Sequence, residues 1–326
     1  MNKELIGGAS VLGYSHKKTN KPNQDSLKIY QAKDNNIAII SVADGHGSDI
    51  YFRSDIGSQF AVKAAEEVLL KYVKSLNFER FDIKNENVIH FNNELIRNAE
   101  FELIKQDILF EWKNLVSEHL VKEPFILESI DLTKVKGLEK NIDVETKYYV
   151  KEKNTSIELS KTSFKKLKDN PISAYGTTLM SFLKFNLGAI LVNIGDGDIV
   201  LTTNGTSCKA FNKDDKMIAN ETYSLSNTDY TKIDILYLSQ IPDIAILCTD
   251  GVSNSFSDDS IILGLGNELF LEYQNKNDVK DFEKLLSGYL ENVTKKGSGD
   301  DCTLAFYMNI LKLEENEKGE IYHGIE

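Results

Sequence analysis

The chain is poor in cysteine, with Cys208, Cys248 and Cys302 the only three in 326 residues. They show no zinc-like spacing, and any disulfide scheme leaves one unpaired, so they read as reduced thiols. No uninterrupted apolar run approaches the roughly 18 residues that a membrane span requires. The opening residues, MNKELIGGASVLG, lack the charged-then-apolar layout of a signal peptide, so the expected location is cytoplasmic, with no membrane partner. Cations are in the minority: 38 Lys and Arg stand against 50 Asp and Glu, for a formal charge of −12. That balance argues against a nucleic-acid partner, because phosphate backbones are bound through clustered Lys and Arg. Repeats and low-complexity tracts are also missing. What is present is 41% hydrophobic and 27% charged residues, enough to bury the core of one large domain.

Hydrophobic patterning supplies the elements. The run NIAIISVA, 36–43, is almost continuously apolar and ends at Asp-Gly, as a strand buried on both faces does. Residues 54–73 carry apolar side chains at helical spacing, and 87–121 form a second helical region in which Trp112, Leu115, Val116, His119 and Leu120 share one face. From 123 to 170 the chain is Lys- and Glu-rich with no sustained apolar period, and reads as a helical and polar excursion from the core. Order returns with TTLMSFLKF, LGAILVNIG and DIVLTT, which read as an antiparallel meander. IAILCTD is another strand ending in Asp-Gly. Helical patterns follow at 260–273 and 279–293, and CTLAFYMNI is the last strand. Adjacent meanders argue for antiparallel sheets with helices outside, and the unbroken apolar strands for sheet packed on sheet. The expected division is a single domain over 1–310 and a polar, acidic tail over 311–326.

Two distant segments share one construction, a buried strand delivering Asp-Gly at its end: SVADGHGSD at Asp44 and LCTDGVSNS at Asp250. GSGDDCTLAF is the mirror image, a Gly-rich loop carrying Asp300 and Asp301 into a strand. KPNQDS places Asp25 after a proline turn. A lone Asp-Gly is ordinarily a turn. Several carboxylates at the ends of core strands are different, since unpaired they repel one another and cations are the natural remedy. Mg²⁺ and Mn²⁺ prefer oxygen ligands, and two such ions roughly 3.5 to 4 Å apart can clamp a phosphoryl group and lower the pKa of a shared water. Gly45, lacking a side chain, leaves its own carbonyl free to turn toward an ion.

In this order, NQDS, VADGHG, YGTTL, IGDGDIV, LCTDG and GDDCTL resemble the successive motifs of the protein phosphatase 2C family over about residues 8–308. With YFRSDIG and ANETYSL, the text is similar to a bacterial branch of that family. The resemblance implies an α+β fold, a four-layer α-β-β-α sandwich of two antiparallel sheets flanked by helices. It implies two divalent cations, Mg²⁺ or Mn²⁺, with Asp44 bridging both, Gly45 offering its carbonyl, and Asp250 and Asp300 completing one shell. Asp25 then holds metal-bound water, and His46 matches the proposed proton donor to the departing oxygen. Family register favours Asp300 over Asp301. Asp196 and Asp198 read as turn residues outside the site.

The sequence departs from the family at three places. Gln24 stands where many relatives carry Glu, and contributes no charge. Asn20 stands where relatives place a phosphate-gripping Arg, leaving His16, Lys17, Lys18 or Lys21 as candidates, none with the bidentate fork of Arg. Ser173 occupies the place of a third-ion Asp, so no third ion is expected. The loops at 123–170 and 204–229, including Asn220 and Glu221, are expected to shape access to the site. The implied activity is hydrolysis of phosphoserine or phosphothreonine in a partner protein, by water activated between the two cations. None of the three cysteines lies in a phosphate cradle, so no cysteine nucleophile is expected. The alternative is a catalytically weak module that binds phosphoproteins or regulates a kinase partner.

Overall fold

The computed structural model describes residues 4–33, 36–76, 94–131, 146–153, 155–212, 223–276 and 279–315. Asn220, Glu221 and the tail beyond 315 lie outside the described residues. Two five-stranded sheets form the centre. One contains, in spatial order, β1 (Glu4–Val11), β13 (Cys302–Asn309), β12 (Ile244–Cys248), β9 (Asp198–Thr203) and β10 (Thr206–Lys209). The other contains β11 (Asp234–Leu238), β8 (Gly188–Ile194), β7 (Leu179–Phe185), β3 (Ala38–Ala43) and β2 (Ser26–Gln31). All their pairings are antiparallel.

The unbroken apolar strands are explained by what each face meets. In β3, Ile40 and Val42 pack into the layer between the sheets, with Phe182, Leu191, Leu247 and Tyr307. Its alternate residues Ile39 and Ala43 join the core under the outer helices, with Ala61, Ala65 and Leu69 of α2 (Ser54–Ser75) and Trp112 of α3 (Glu94–Lys122). A short helix, α1 (Tyr14–Thr19), precedes them in the chain. On the opposite side, α5 (Asp259–Gln274) and α6 (Val279–Lys296) cover the β12–β13 sheet through Leu265, Phe282, Leu286 and Leu290. A period-2 strand buried on both faces has no polar side to display, so it reads as a continuous apolar run. The layers are helix, sheet, sheet, helix, the α+β sandwich that the resemblance implies.

Two readings of the sequence change. The TTLMSFLKF–LGAILVNIG–DIVLTT stretch is not one meander: β7 and β8 pair with each other, but β9 belongs to the facing sheet. Gly195, at φ 120°, sits where the chain steps from one sheet to the other. A Gly-Asp-Gly turn looks the same whether the next strand pairs with the last or crosses the sandwich.

The described residues of the 123–170 stretch are also not chiefly helical. The stretch holds a three-stranded antiparallel sheet, β4 (Ile126–Asp131), β5 (Thr146–Glu152) and β6 (Thr155–Leu159), followed by α4 (Lys161–Asp169). Most of its residues are exposed or half-buried, with Val150 and Leu159 reaching the main core. A small sheet with so little buried surface leaves no clean alternation to read.

Candidate metal and phosphoryl-transfer site

Antiparallel register brings the distant carboxylates together. Ser26, the first residue of β2, lies opposite Ala43, the last of β3, so Asp25 just before one and Asp44 just after the other leave the same edge. In the facing sheet Cys248 at the end of β12 opposes Leu304 near the start of β13, which sets Asp250 beside Asp300 and Asp301. The two edges meet through Thr249, whose hydroxyl donates to Asp25 Oδ2 at 2.8 Å and accepts the Thr303 N–H at 3.0 Å.

The electrostatics follow from that convergence. Burial pushes the Asp25 carboxyl well above the usual carboxylate range, and Asp301 adds to it, against hydrogen bonds from Thr303 and Thr249. Asp44 keeps some solvent access, yet the protein packed around it also raises its pKa well above the ordinary value. Asp25, Asp250 and Asp300 push it further, and the Asp250 carboxyl lies within hydrogen-bonding reach of Asp44. The principal influences on Asp44 are therefore burial and three other carboxylates, all disfavouring its charge.

Backbone contacts hold Asp44 rigidly. The carbonyl of Asp44 accepts the Thr178 N–H at 2.8 Å and the Thr177 hydroxyl at 2.9 Å, while its N–H donates to Thr178 Oγ1 at 2.9 Å. Gly45 is needed here for close approach: a Cβ would stand 2.6 Å from the Gln24 carbonyl oxygen and 2.7 Å from that of Ser54. His46 N–H donates to Gly176 O at 3.1 Å, and its ring lies 4.8 Å from that of Tyr51. Burial lowers the pKa of His46, opposed by Asp196.

The neighbouring aspartates have different tasks. Asp301 is buried and accepts the N–H of Gly13 on one oxygen at 2.6 Å and that of Gln24 on the other at 2.7 Å. It ties the N-terminal loop to β13. Asp300 has a side chain 55% exposed and open to a ligand. Asp196 faces His46 electrostatically, and Asp198 is a buried partner of Lys209 at 3.1 Å.

The four phosphate-binding candidates are scattered. His16 Nε2 stands 3.6 Å from Asp300, and its Nδ1 is 3.0 Å from Asp301 without hydrogen-bond alignment. Ligand atoms of His16, Asp300 and Asp301 lie within 4.8 Å of one another. Lys17 reaches Glu291 at 4.0 Å, and Lys18 lies over the Tyr14 ring at 4.3 Å. Lys21 reaches the Asp44–Gly47 loop, donating to Gly47 O at 2.9 Å. Asn20 ends α1 in the left-handed conformation, φ 53°, a position that tolerates Asn better than Arg. Ser173 is buried in a 3-10 turn.

The residues suit a divalent-cation pair. Carboxylates and a carbonyl are hard oxygen donors, and their charges are crowded enough to hold Asp25 and Asp44 out of the normal carboxylate range. Gln24 Oε1 is buried with no hydrogen-bond partner, while its Nε2 donates to His46 O at 3.1 Å. The sequence did not mark Thr249, Thr177, Thr178 or Ser54 as parts of the site. Their hydroxyls adjoin the motifs in TDG, YGTT and RSDIG, which was the available signal. All three cysteines stand in strands as free thiols, and burial, then Asp25, pushes Cys302 up to about 12.

A sandwich that gathers carboxylates from both sheets at one end is built for metal-assisted hydrolysis. The family model described as protein phosphatase 2C matches residues 12–291. The chain belongs to the protein phosphatase 2C family, and is a metal-dependent protein serine/threonine phosphatase. Among solved structures it is similar to the catalytic domain of the serine threonine protein phosphatase PstP in complex with two manganese ions, at 15% identity over 94% of this chain and 97% of that one, TM-score 0.50. It is also similar to the Mycobacterium tuberculosis serine/threonine phosphatase PstP/Ppp, at 15% identity over 94% and 98%, TM-score 0.50. At such identity these likenesses speak for the fold. No curated protein sequence matches the chain. Among the described residues, no helix is long and apolar enough to cross a membrane.

Proposed function

We propose that this phosphatase hydrolyses phosphoserine and phosphothreonine esters of a partner protein at the Asp25, Asp44, Asp250 and Asp300 cluster, by in-line attack of water and without a phosphoenzyme. The observation that carries the reading is the convergence of Asp25, Asp44, Asp250 and Asp300 from strand ends of both sheets, joined through Thr249, with burial and three neighbouring carboxylates raising the pKa of Asp44. Two Mg²⁺ or Mn²⁺ ions, when bound, supply neutralising charge and Lewis acidity toward water and the phosphoryl oxygens. Asp44, the Gly45 carbonyl, Asp250 and Asp300 are the residues that would hold them.

Asp25, with one oxygen fixed by Thr249, orients the attacking water. His46 delivers a proton to the departing seryl or threonyl oxygen. Burial favours its neutral imidazole, and a phosphate dianion entering beside it favours the protonated form. Lys21, beside Gly47, is the cation best placed to meet substrate phosphate. His16 belongs with Asp300 and Asp301 instead. Catalysis is assigned to residues 1–310 with the 123–170 excursion as an accessory part, Leu313 at the start of the expected tail packs into the core beside the β12–β13 sheet, and the setting is cytoplasmic, opposite a protein kinase.

Hydrolysis of a phosphopeptide in Mn²⁺, set against an aryl phosphate and a sugar phosphate, tests this reading. Turnover abolished by chelator and by Asp44→Asn is expected, with the phosphopeptide preferred. Intact Mn²⁺ binding with no turnover on any ester would instead favour a regulatory phosphoprotein-binding module, which Gln24 and Asn20 motivate.

A further inference from the structure

One buried cation lies outside the carboxylate cluster and is wired to it. Arg53, 2% exposed, precedes α2. Its Nε and Nη2 both donate to Glu152 Oε2, at 3.1 and 2.7 Å, and its Nη1 donates to the Tyr175 hydroxyl. Tyr175 Oη is in turn 2.7 Å from His119 Nδ1 of α3. The guanidinium is also flanked by the rings of Phe125 and Phe52, at 5.3 and 5.9 Å. Burial opposes the charge of Arg53, but hydrogen bonds to Glu152 and Tyr175 outweigh it.

Both ends of this network lead somewhere specific. Glu152 is the last residue of β5, in the accessory three-stranded sheet. At the other end, Arg53 N–H donates to Ala174 O at 3.0 Å. α2 presses so closely on the next residue that a Cβ at Gly57 would fall 2.1 Å from Tyr175 O. Beyond Tyr175 comes Gly176, whose carbonyl holds His46 N–H and whose Cα hydrogen side faces the His46 and Tyr51 rings, where a Cβ would stand 2.7 and 2.5 Å away. Thr177 and Thr178 then grip Asp44. Ser54, next to Arg53, accepts from Gln24 Nε2.

We propose that Arg53, held by Glu152 of the accessory sheet, is a positioning residue that sets the His46 ring through Tyr175 and Gly176, so proton delivery depends on the accessory sheet. The inference rests on His46 as proton donor. A planar fork that binds a carboxylate and a phenol at once cannot be replaced by the point charge of Lys. Displacement of a catalytic group by about 1 Å can cost roughly 10²-fold in rate.

The test compares Arg53→Lys, Glu152→Gln and His46→Gln with wild type, all in saturating Mn²⁺, on a phosphoserine peptide and on an aryl phosphate whose leaving group needs no proton. Unfolding temperature is measured alongside, and amide exchange of His46 is followed in the metal-free protein. Expected for Arg53→Lys and Glu152→Gln is a fall of about 10- to 100-fold in kcat on the phosphopeptide. KM should change little, the aryl phosphate should be several-fold less affected, and His46 N–H should exchange faster well below the unfolding temperature. Equal losses on both substrates, or unchanged kcat with only a lower unfolding temperature, would overturn the proposal and leave Arg53 a structural ion pair. Should His46→Gln itself treat both esters alike, the proton-donor reading falls. The positioning claim is then decided by His46 exchange alone, faster exchange upholding it and unchanged exchange sinking it.

Discussion

Two charged assemblies sit within one fold, and they are built on opposite rules. At the end of the sandwich, Asp25, Asp44, Asp250 and Asp300 face like charges, and Asp25 and Asp44 lie well above the ordinary carboxylate range because of burial and one another's company. Beneath the accessory sheet, Arg53 is more completely buried, yet it is paired with Glu152 and Tyr175. Buried charge that is satisfied inside the protein mainly holds parts in place. Buried charge left repelling costs stability, and persists where something from outside is meant to bind. The contrast is sharper than composition could show, because both assemblies draw on ordinary Asp, Glu and Arg.

Asp44→Asn breaks the contrast most strongly. Phosphatase activity in Mn²⁺ is expected to fall at least about 10³-fold, measured as initial rates on a phosphopeptide. The same variant, freed of metal by chelator, is expected to gain about 1 kcal/mol in urea unfolding, because one of the crowded charges is gone. Loss of both activity and stability would mean that Asp44 is structural.

Glu152→Ala is expected to do the reverse to stability. It leaves the Arg53 guanidinium buried without its carboxylate, costing about 3 kcal/mol in urea unfolding, toward the low end for such pairs because Glu152 retains some solvent contact at 16% exposure. Adding Mn²⁺ at about 100 times its dissociation constant is expected to stabilise wild type by about 2.7 kcal/mol, read as a shift in the urea midpoint. Glu152→Ala should keep most of this gain and Asp44→Asn should lose it.

The pH dependence of the metal-free protein has a defined sign. Asp25 and Asp44 bind protons more tightly folded than unfolded, where their value is near 3.8. Their penalty is absent below that value, grows as pH rises toward the elevated folded values, and is complete above them. In chelator, the stability difference between wild type and Asp44→Asn should widen as pH is raised from acid to neutral, and Mn²⁺ should reverse the trend, because the wild type alone gains metal binding as its carboxyls deprotonate. A difference independent of pH in thermal unfolding would contradict the shifted carboxyls. The smallest effect belongs to a surface pair in the accessory sheet, Lys151–Glu128 at 2.7 Å: Lys151→Ala should change stability by no more than about 0.5 kcal/mol.

Much of the central fold is legible because its strands are buried on both faces. The apolar runs ending at Asp44 and Asp250 are β3 and β12, and the helices under 54–73, 260–273 and 279–293 fall where their three-four spacing places them. β1 and β2 escaped the reading although β1 alternates buried and half-buried residues throughout. Two glycines in ELIGGASV mask that period, and at the sheet edge half its residues stay partly open. The accessory strands were illegible for a related reason, since their stability comes from docking on Arg53 and the core instead of from a face of their own. At the site, TDG and YGTT announced the carboxylates and glycines. The hydroxyls of Thr249, Thr177 and Thr178 matter only through partners more than 50 residues away, as with Thr178 and Asp44, separated by 134 positions.

The sequence by itself determined which carboxylates end core strands, because an apolar run followed by Asp-Gly has few other structural meanings. It also carried the ordered motifs of the family. The tertiary structure alone decided that β9 crosses to the facing sheet, that Asp301 is spent on two backbone N–H groups while Asp300 stays open, and that an accessory sheet reaches the site through Arg53. These are questions of partner choice between residues far apart in the chain. Local pattern records how a segment is buried but not what it is buried against.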